Sequence, residues 1–106
     1  MVFVELSPVV AFRDEHWDDE EFRRFQIALM QSPKSGDAIR GSGGLRKLRW
    51  LAQGRGKRGG ARVIYYFQDA EDRIYLIYGY VKSEREDLTP DQVRTLAKLM
   101  KDVDHG

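Results

Sequence analysis

The sequence predicts an α+β fold: a small antiparallel β-sheet with an N-terminal helix pair and a C-terminal helix. The sheet is expected to contain an N-terminal strand and a meander of the last three strands. Residues 61–81 are rich in β-branched and aromatic side chains, whereas two other stretches repeat apolar residues at helical spacing. The 106 residues contain no repeat and no long linker, which indicates one domain spanning residues 1–106.

The N-terminal third indicates one strand and two helices. Residues 2–6 form the strand, and Ser7 is expected to cap a first helix that continues to about His16, with a proline at its first position. Asp18 caps the second helix, and Glu21, three residues later, completes a capping box. The apolar stripe of this helix consists of Phe22, Phe25 and Leu29.

The rest of the chain predicts three strands and a final helix. The strands are residues 45–51, 61–67 and 73–81, and they are expected to pair in order as an antiparallel meander. Thr89 and Gln92 form a second capping box at the start of the last helix. The expected order is β-α-α-β-β-β-α, with the helices packed on one side of the sheet.

The charges are segregated along a chain whose formal net charge is only +1. Residues 14–21 contain six acids and no base, whereas residues 40–62 contain eight bases and no acid. A basic block of this kind attracts polyanions through phosphate contacts. A solvated basic face is the alternative, but the interleaved glycines and aromatics favour nucleic acid.

Several classes of site are absent from the sequence. The chain has no cysteine, which excludes disulfides and cysteine–zinc sites. The two histidines, His16 and His105, are interpreted as surface residues, so neither a two-histidine ribonuclease nor a metal site is expected, and no cofactor is expected. The N-terminus is a poor signal peptide and no apolar run approaches about 20 residues, so we expect a cytoplasmic protein with no membrane contact.

The remaining candidates for chemistry are cations on the predicted meander. Lys47, Arg49 and Arg62 share one surface if the strands pair in order, and Lys82 follows the last strand. Clustered cations can hold a scissile phosphate and stabilise the charge that develops during phosphoryl transfer. A lysine beside other cations can also act as a general base. Alternatively, these side chains only cover the edges of the sheet.

Two stretches resemble toxins of the RelE/HigB type, in particular the HigB-like branch. They are GDAIRGSGGLRKLRWLAQGRGKRGGARVIYYF and IYLIYGYVKSEREDLTPDQVRTLAKLM. The resemblance implies a ribosome-dependent mRNA interferase, a metal-independent endoribonuclease that cuts messenger RNA in the A site of the 30S subunit by attack of a ribose 2′-hydroxyl. It also implies a helix-turn-helix antitoxin of the HigA type as partner. A ParE-like gyrase inhibitor and a non-catalytic RNA-binding module of phage origin are the alternatives.

The resemblance also implies roles for individual residues. Lys47 and Arg49 match two basic residues of the family on the strand LRKLRW, and Arg62 matches an arginine on the next strand. We expect Arg62 to hold the scissile phosphate, and Lys47 or Lys82 to take the 2′-hydroxyl proton. Arg49 and Tyr80 are expected to contact RNA.

The sequence departs from the family pattern at two places. Ser83 stands where RelE has an arginine, and Leu88 and Thr89 stand where a tyrosine is expected. Tyr80, like Tyr78, either stacks on a base or belongs to the core of the sheet. The family pattern therefore leaves open which residues transfer protons.

The glycine-rich segment from Gln53 to Gly60 is expected to be an exposed loop that contacts RNA phosphates through Arg55, Lys57 and Arg58. Replacing these three bases with alanine should weaken ribosome binding and lower its salt dependence by up to about three units of slope. Binding measured across a salt series tests this prediction. Unchanged affinity at every salt concentration would show that the segment does not contact phosphate.

Overall fold

The computed structural model describes residues 1–51, 60–82 and 87–105. Its elements are β1 (Val2–Glu5), α1 (Ser7–His16), α2 (Asp19–Gln31), β2 (Asp37–Ala38), β3 (Leu45–Trp50), β4 (Ala61–Gln68), β5 (Arg73–Val81) and α3 (Pro90–His105). A short 3₁₀ turn, Asp69–Glu71, joins β4 to β5. The predicted α+β class is confirmed. Within these ranges, none of the helices has the length and apolar character needed to cross a bilayer.

The strands form one mixed sheet in the order β1-β5-β4-β3-β2. The antiparallel meander of β3, β4 and β5 is confirmed. The sheet is mainly antiparallel, as predicted, and β1 is the exception because it pairs with β5 in parallel. A parallel neighbour requires a crossover connection, and α1 and α2 lie in that connection. Strand β2 was not predicted, because its two residues are too few to show a strand pattern.

The helices cover both faces of the sheet, so the expectation that they lie on one side was wrong. One apolar cluster joins α1 and α2 to Val63 and Tyr65 of β4. A second cluster joins α3, through Met100, to Ile64 of β4 and Ile77 of β5. Since β4 is buried on both faces, each face needs its own cover.

The predicted capping residues are found at the starts of α2 and α3 but not at the start of α1. The Asp18 side chain accepts a hydrogen bond from the Glu21 N–H at 2.7 Å, as predicted. The Thr89–Gln92 capping box is complete, with hydrogen bonds of 2.9 and 3.2 Å. The prediction that Ser7 caps α1 was wrong, because Leu6 is the N-cap. The Leu6 N–H donates to the Leu76 carbonyl of β5, so the sheet extends one residue further and the helix starts at Ser7.

The second capping residue of α2 has a further role in packing. Glu21 is buried, and its Oε2 accepts hydrogen bonds from Trp50 Nε1 at 2.7 Å and from Arg24 Nη2 at 2.8 Å. Trp50 is the last residue of β3, so this carboxylate links the start of α2 to the end of that strand. The link fixes α2 on the face opposite α3.

A β-bulge in β5 changes which face its last residues occupy. The register with β4 passes from Tyr65–Leu76 to Ile64–Tyr78, so Ile77 is an extra residue on β5. A bulge of this kind redirects the side chains that follow it. Tyr78 therefore packs in the α3 cluster, and Gly79 faces Phe12 of α1.

Replacing Gly79 with alanine should destabilise the fold. A Cβ at this position would lie 2.7 Å from the Phe12 ring, which is closer than packed atoms approach. Overpacking of this kind costs about 1–3 kcal/mol of unfolding free energy, which urea denaturation measures. In a Phe12→Leu background the same substitution should cost less. Equal losses in both backgrounds would contradict this contact as the cause.

Candidate nucleic-acid interface

The α3 side of the sheet carries the cations that the sequence analysis selected. Arg49 of β3 lies opposite Arg62 of β4, and Arg62 lies opposite Tyr80 of β5. In the adjacent row, Lys47 lies opposite Ile64. Opposed side chains on an antiparallel sheet are neighbours, with Cβ atoms about 5 Å apart. We call this surface the basic face; it comprises Lys47, Arg49, Arg62, Tyr80 and Lys82.

Three donors of the basic face converge on one oxygen of Asp87. The Tyr80 hydroxyl donates to Oδ1 at 2.9 Å. The ammonium groups of Lys82 and Lys47 lie 3.2 and 3.6 Å from the same atom. The donors come from β3, from β5 and from the residue after β5, so the contact depends on the pairing of the meander.

The backbone of Asp87 is held in place by the residues that follow it. Leu88 packs against the α3 cluster, and Thr89 begins the capping box of α3. The side chain of Asp87 itself is about half exposed, with a relative accessible surface of 52%. The carboxylate is therefore anchored on one side and open to solvent on the other.

The surroundings of Asp87 favour its charged form. The hydrogen bond from Tyr80 lowers the pKa of the Asp87 carboxyl, and the hydrogen bond from Lys82 and the charges of both lysines lower it further. Slight burial acts in the opposite direction. At neutral pH the site consequently holds one negative charge between two ammonium groups.

The two arginines of the basic face differ in exposure. Arg62 is buried at 9% relative exposure, and its Nη1 lies 3.4 Å from the Ala61 carbonyl oxygen, to which it donates. Arg49, directly opposite, is exposed. Guanidinium groups at opposed sheet positions lie close enough to bind the oxygens of one anionic ligand.

A small cavity lies beside the convergence point. Its volume is about 70 Å³, comparable to the space of roughly two water molecules. A nucleotide does not fit into such a volume, so a nucleic acid would have to lie across the basic face. The lining residues are Ile39, Lys47, Ile64, Tyr80, Asp87, Leu88 and Val93.

The structure brings some of the predicted site residues together and leaves others outside its description. Lys47, Lys82 and Tyr80 meet at Asp87, and Arg49 and Arg62 occupy the adjacent row. The Tyr80 ring is only 4% exposed, so it contributes its hydroxyl to the site and its ring to the core. The three predicted loop contacts, Arg55, Lys57 and Arg58, lie outside the described residues.

Sequence reasoning missed Asp87 as a member of the site. The residue ends the charged stretch of residues 84–87 and stands two residues before Thr89, the first residue of the second capping box. The sequence signal that could have identified Asp87 is its position, five residues after Lys82 and next to the start of a capped helix. The β5 bulge, which brings the Tyr80 hydroxyl to the same place, has no signal in the sequence.

The chemistry available to these residues is that of cations, hydroxyls and one carboxylate. Within the ranges that the structure describes, no three histidine, aspartate or glutamate side chains are grouped closely enough to hold a metal ion. Ammonium and guanidinium groups can bind phosphate oxygens and stabilise negative charge in a transition state. The basic face therefore suits a phosphodiester ligand.

Comparison with known proteins gives two findings. The sequence model of the RelE toxin, of the RelE/RelB toxin–antitoxin system, matches residues 13–105, which include the whole basic face. The structure is similar to that of the free Escherichia coli toxin RelE with two arginines replaced by alanine. The two chains are 14% identical, the match covers 80% of this chain and 86% of that one, and the TM-score is 0.59. At this identity, the structural likeness shows a shared fold.

Replacing Tyr80 with phenylalanine should raise the pKa of Asp87 toward its ordinary value, because the largest interaction that favours the carboxylate is lost. In the wild-type protein, the stabilisation from these contacts is complete above the ordinary aspartate pKa. It is lost as the pH falls through the lowered one. A carboxyl NMR titration measures the change. Tyr75→Phe, whose hydroxyl bonds Gln68 instead, is the matched control, and equal titration curves for all three proteins would contradict the assignment.

Proposed function

This chain belongs to the RelE toxin family of the RelE/RelB toxin–antitoxin systems, and on that premise we propose that it is a ribosome-dependent endoribonuclease. In this proposal it resembles the HigB-like branch, cleaves messenger RNA in the A site of the 30S subunit, and so inhibits translation. The observation that carries the proposal is the convergence of Lys47, Lys82 and the Tyr80 hydroxyl on one anionic oxygen. The opposed arginines extend the same surface.

The proposed reaction is an internal transesterification of RNA. The 2′-oxygen of a ribose forms a bond to the adjacent phosphorus, and the bond from phosphorus to the 5′-oxygen breaks. One proton leaves the 2′-hydroxyl and one proton reaches the 5′-oxygen. The products are a 2′,3′-cyclic phosphate and a free 5′-hydroxyl, and no metal ion, oxidant or reductant takes part.

The residues of the basic face supply binding and proton transfer. Arg62, with Arg49 opposite, holds the non-bridging oxygens, because a guanidinium offers two parallel donors to a phosphate. Lys47 and Lys82 lie on either side of the position where Asp87 Oδ1 now sits. In this step one lysine, as its neutral amine, takes the 2′-hydroxyl proton, and the other, as an ammonium, supplies a proton to the leaving oxygen.

The proposal includes an antitoxin partner. A helix-turn-helix protein of the HigA type would neutralise the toxin. The segregated charges of the chain support an acidic antitoxin segment that binds the basic block of residues 40–62. Such a segment and messenger RNA would then compete for overlapping cations.

Substitutions of Lys82 and Arg62 should abolish cleavage while the fold persists. Lys82 is partly exposed, so Lys82→Ala should keep the wild-type melting temperature and reduce cleavage roughly a hundredfold. Arg62 is buried, and Arg62→Lys keeps the charge but loses the planar fork, so cleavage should also fall. Primer extension on a message translated with the added toxin measures discrete cuts.

The control is Arg73→Ala, which removes an exposed base from the first residue of β5, away from the basic face. This variant should cut as the wild type does. Folded variants of Lys82 and Arg62 that cut at near the wild-type rate would contradict the active-site assignment. Inhibition of DNA supercoiling by a protein that leaves messages intact would indicate a gyrase inhibitor, and neither activity would indicate a non-catalytic RNA-binding module.

A further inference from the structure

Asp87 occupies the place that a phosphate oxygen needs on the basic face. A non-bridging phosphate oxygen and a carboxylate oxygen are both anionic acceptors of short hydrogen bonds from ammonium and hydroxyl groups. Asp87 Oδ1 accepts a hydrogen bond from Tyr80 at 2.9 Å and lies 3.2 and 3.6 Å from the ammonium nitrogens of Lys82 and Lys47. A ligand phosphate at this position would compete with the carboxylate for these three donors.

We propose that Asp87 is an internal substitute for the ligand phosphate, which RNA must displace before the two lysines can engage the scissile group. In the free protein, Oδ1 fills the position of one non-bridging oxygen. On binding, the side chain swings toward solvent and the phosphate takes over its donors. The identity of the ligand as RNA rests on the proposed function, whereas the competition applies to any phosphate at this position.

The surroundings of Asp87 allow such an exchange at low cost. Leu88 and the Thr89 capping box hold the backbone, so only the side chain has to rotate. That side chain is half exposed, so water can replace the contacts that it gives up. Ion pairs at exposed positions contribute little to stability, which makes this one easy to break.

The exchange also explains why a carboxylate is present in a surface built for anions. The ammonium groups of Lys47 and Lys82 lie close to one carboxylate oxygen and would repel one another without it. One internal negative charge reduces that repulsion in the free protein and leaves when a phosphate supplies the same charge. Asp87 therefore sets the threshold for RNA binding and does not take part in the reaction itself.

Asp87→Asn tests the proposal, because the amide keeps the shape and an acceptor for Tyr80 but removes the charge. Asp91→Asn is the matched control, since it makes the same charge change four residues along the chain, in the first turn of α3, where Asp91 pairs with Arg94. Titration of inorganic phosphate into each full-length protein, followed by NMR of the Tyr80 and lysine side-chain signals, gives the dissociation constants. Asp87→Asn should bind phosphate roughly fivefold more tightly than the wild type, and Asp91→Asn should not.

A second variant identifies where the gain arises. In the double variant Lys82→Ala with Asp87→Asn, the gain in phosphate affinity over Lys82→Ala alone should be smaller than the gain of Asp87→Asn over the wild type, since one of the three uncovered donors is missing. Asp87→Ser removes the carboxylate in a different way and should reproduce the gain of the asparagine variant. Melting temperatures establish that each variant is folded. Phosphate affinity that is unchanged or reduced in both Asp87 variants would overturn the proposal.

Ribosome experiments separate this proposal from the proposed function. On ribosomes programmed with a cleavable message, Asp87→Asn should lower KM a few-fold and leave kcat near the wild-type value. A loss of kcat with no gain in phosphate affinity would overturn the proposal and make Asp87 a reacting group. If no variant and no wild-type protein cuts RNA, the proposed function fails. The competition with phosphate would still be supported by tighter binding in Asp87→Asn.

Discussion

The extra residue on β5 determines what the two faces of the sheet can contain. Without the bulge at Ile77, strict alternation would turn the Tyr80 hydroxyl toward α1 and α2 and leave a glycine on the basic face. With the bulge, Gly79 lies under the Phe12 ring, where no side chain fits, and Tyr80 reaches Asp87. The close packing of α1 and the geometry of the candidate site therefore depend on the same local irregularity.

The basic face holds several cations close together on a rigidly packed sheet. Arg49 and Arg62 are directly opposed, and two lysines approach one carboxylate oxygen. The central strand β4 is packed on both sides, with Tyr65 and Ile64 buried in different clusters. A rigid sheet can hold repelling charges in position because the side chains cannot relax by moving the backbone. Preorganised cations of this kind are what phosphoryl transfer requires.

Structural features that depend only on residues a few positions apart were predictable from the sequence. Asp18 and Thr89 cap their helices as expected, because a capping hydrogen bond joins residues three positions apart. The prediction that Ser7 caps α1 was wrong for a non-local reason, because the pairing of Leu6 with Leu76 of β5 extends the strand and moves the helix start. The parallel pairing of β1 with β5 depends on a partner far along the chain, whereas β2 is too short to show a strand pattern.

The sequence by itself determined the α+β class, the antiparallel meander and the concentration of bases on one block of the chain, because periodicity and charge order are properties of neighbouring residues. It also placed Lys47, Arg49 and Arg62 on a common surface, since strand order and alternation suffice for that. Only the tertiary structure decided that α3 covers the face opposite α1 and α2, and that Asp87 meets Tyr80. Both outcomes depend on a bulge and a crossover, whose cause is packing between segments that are distant in sequence.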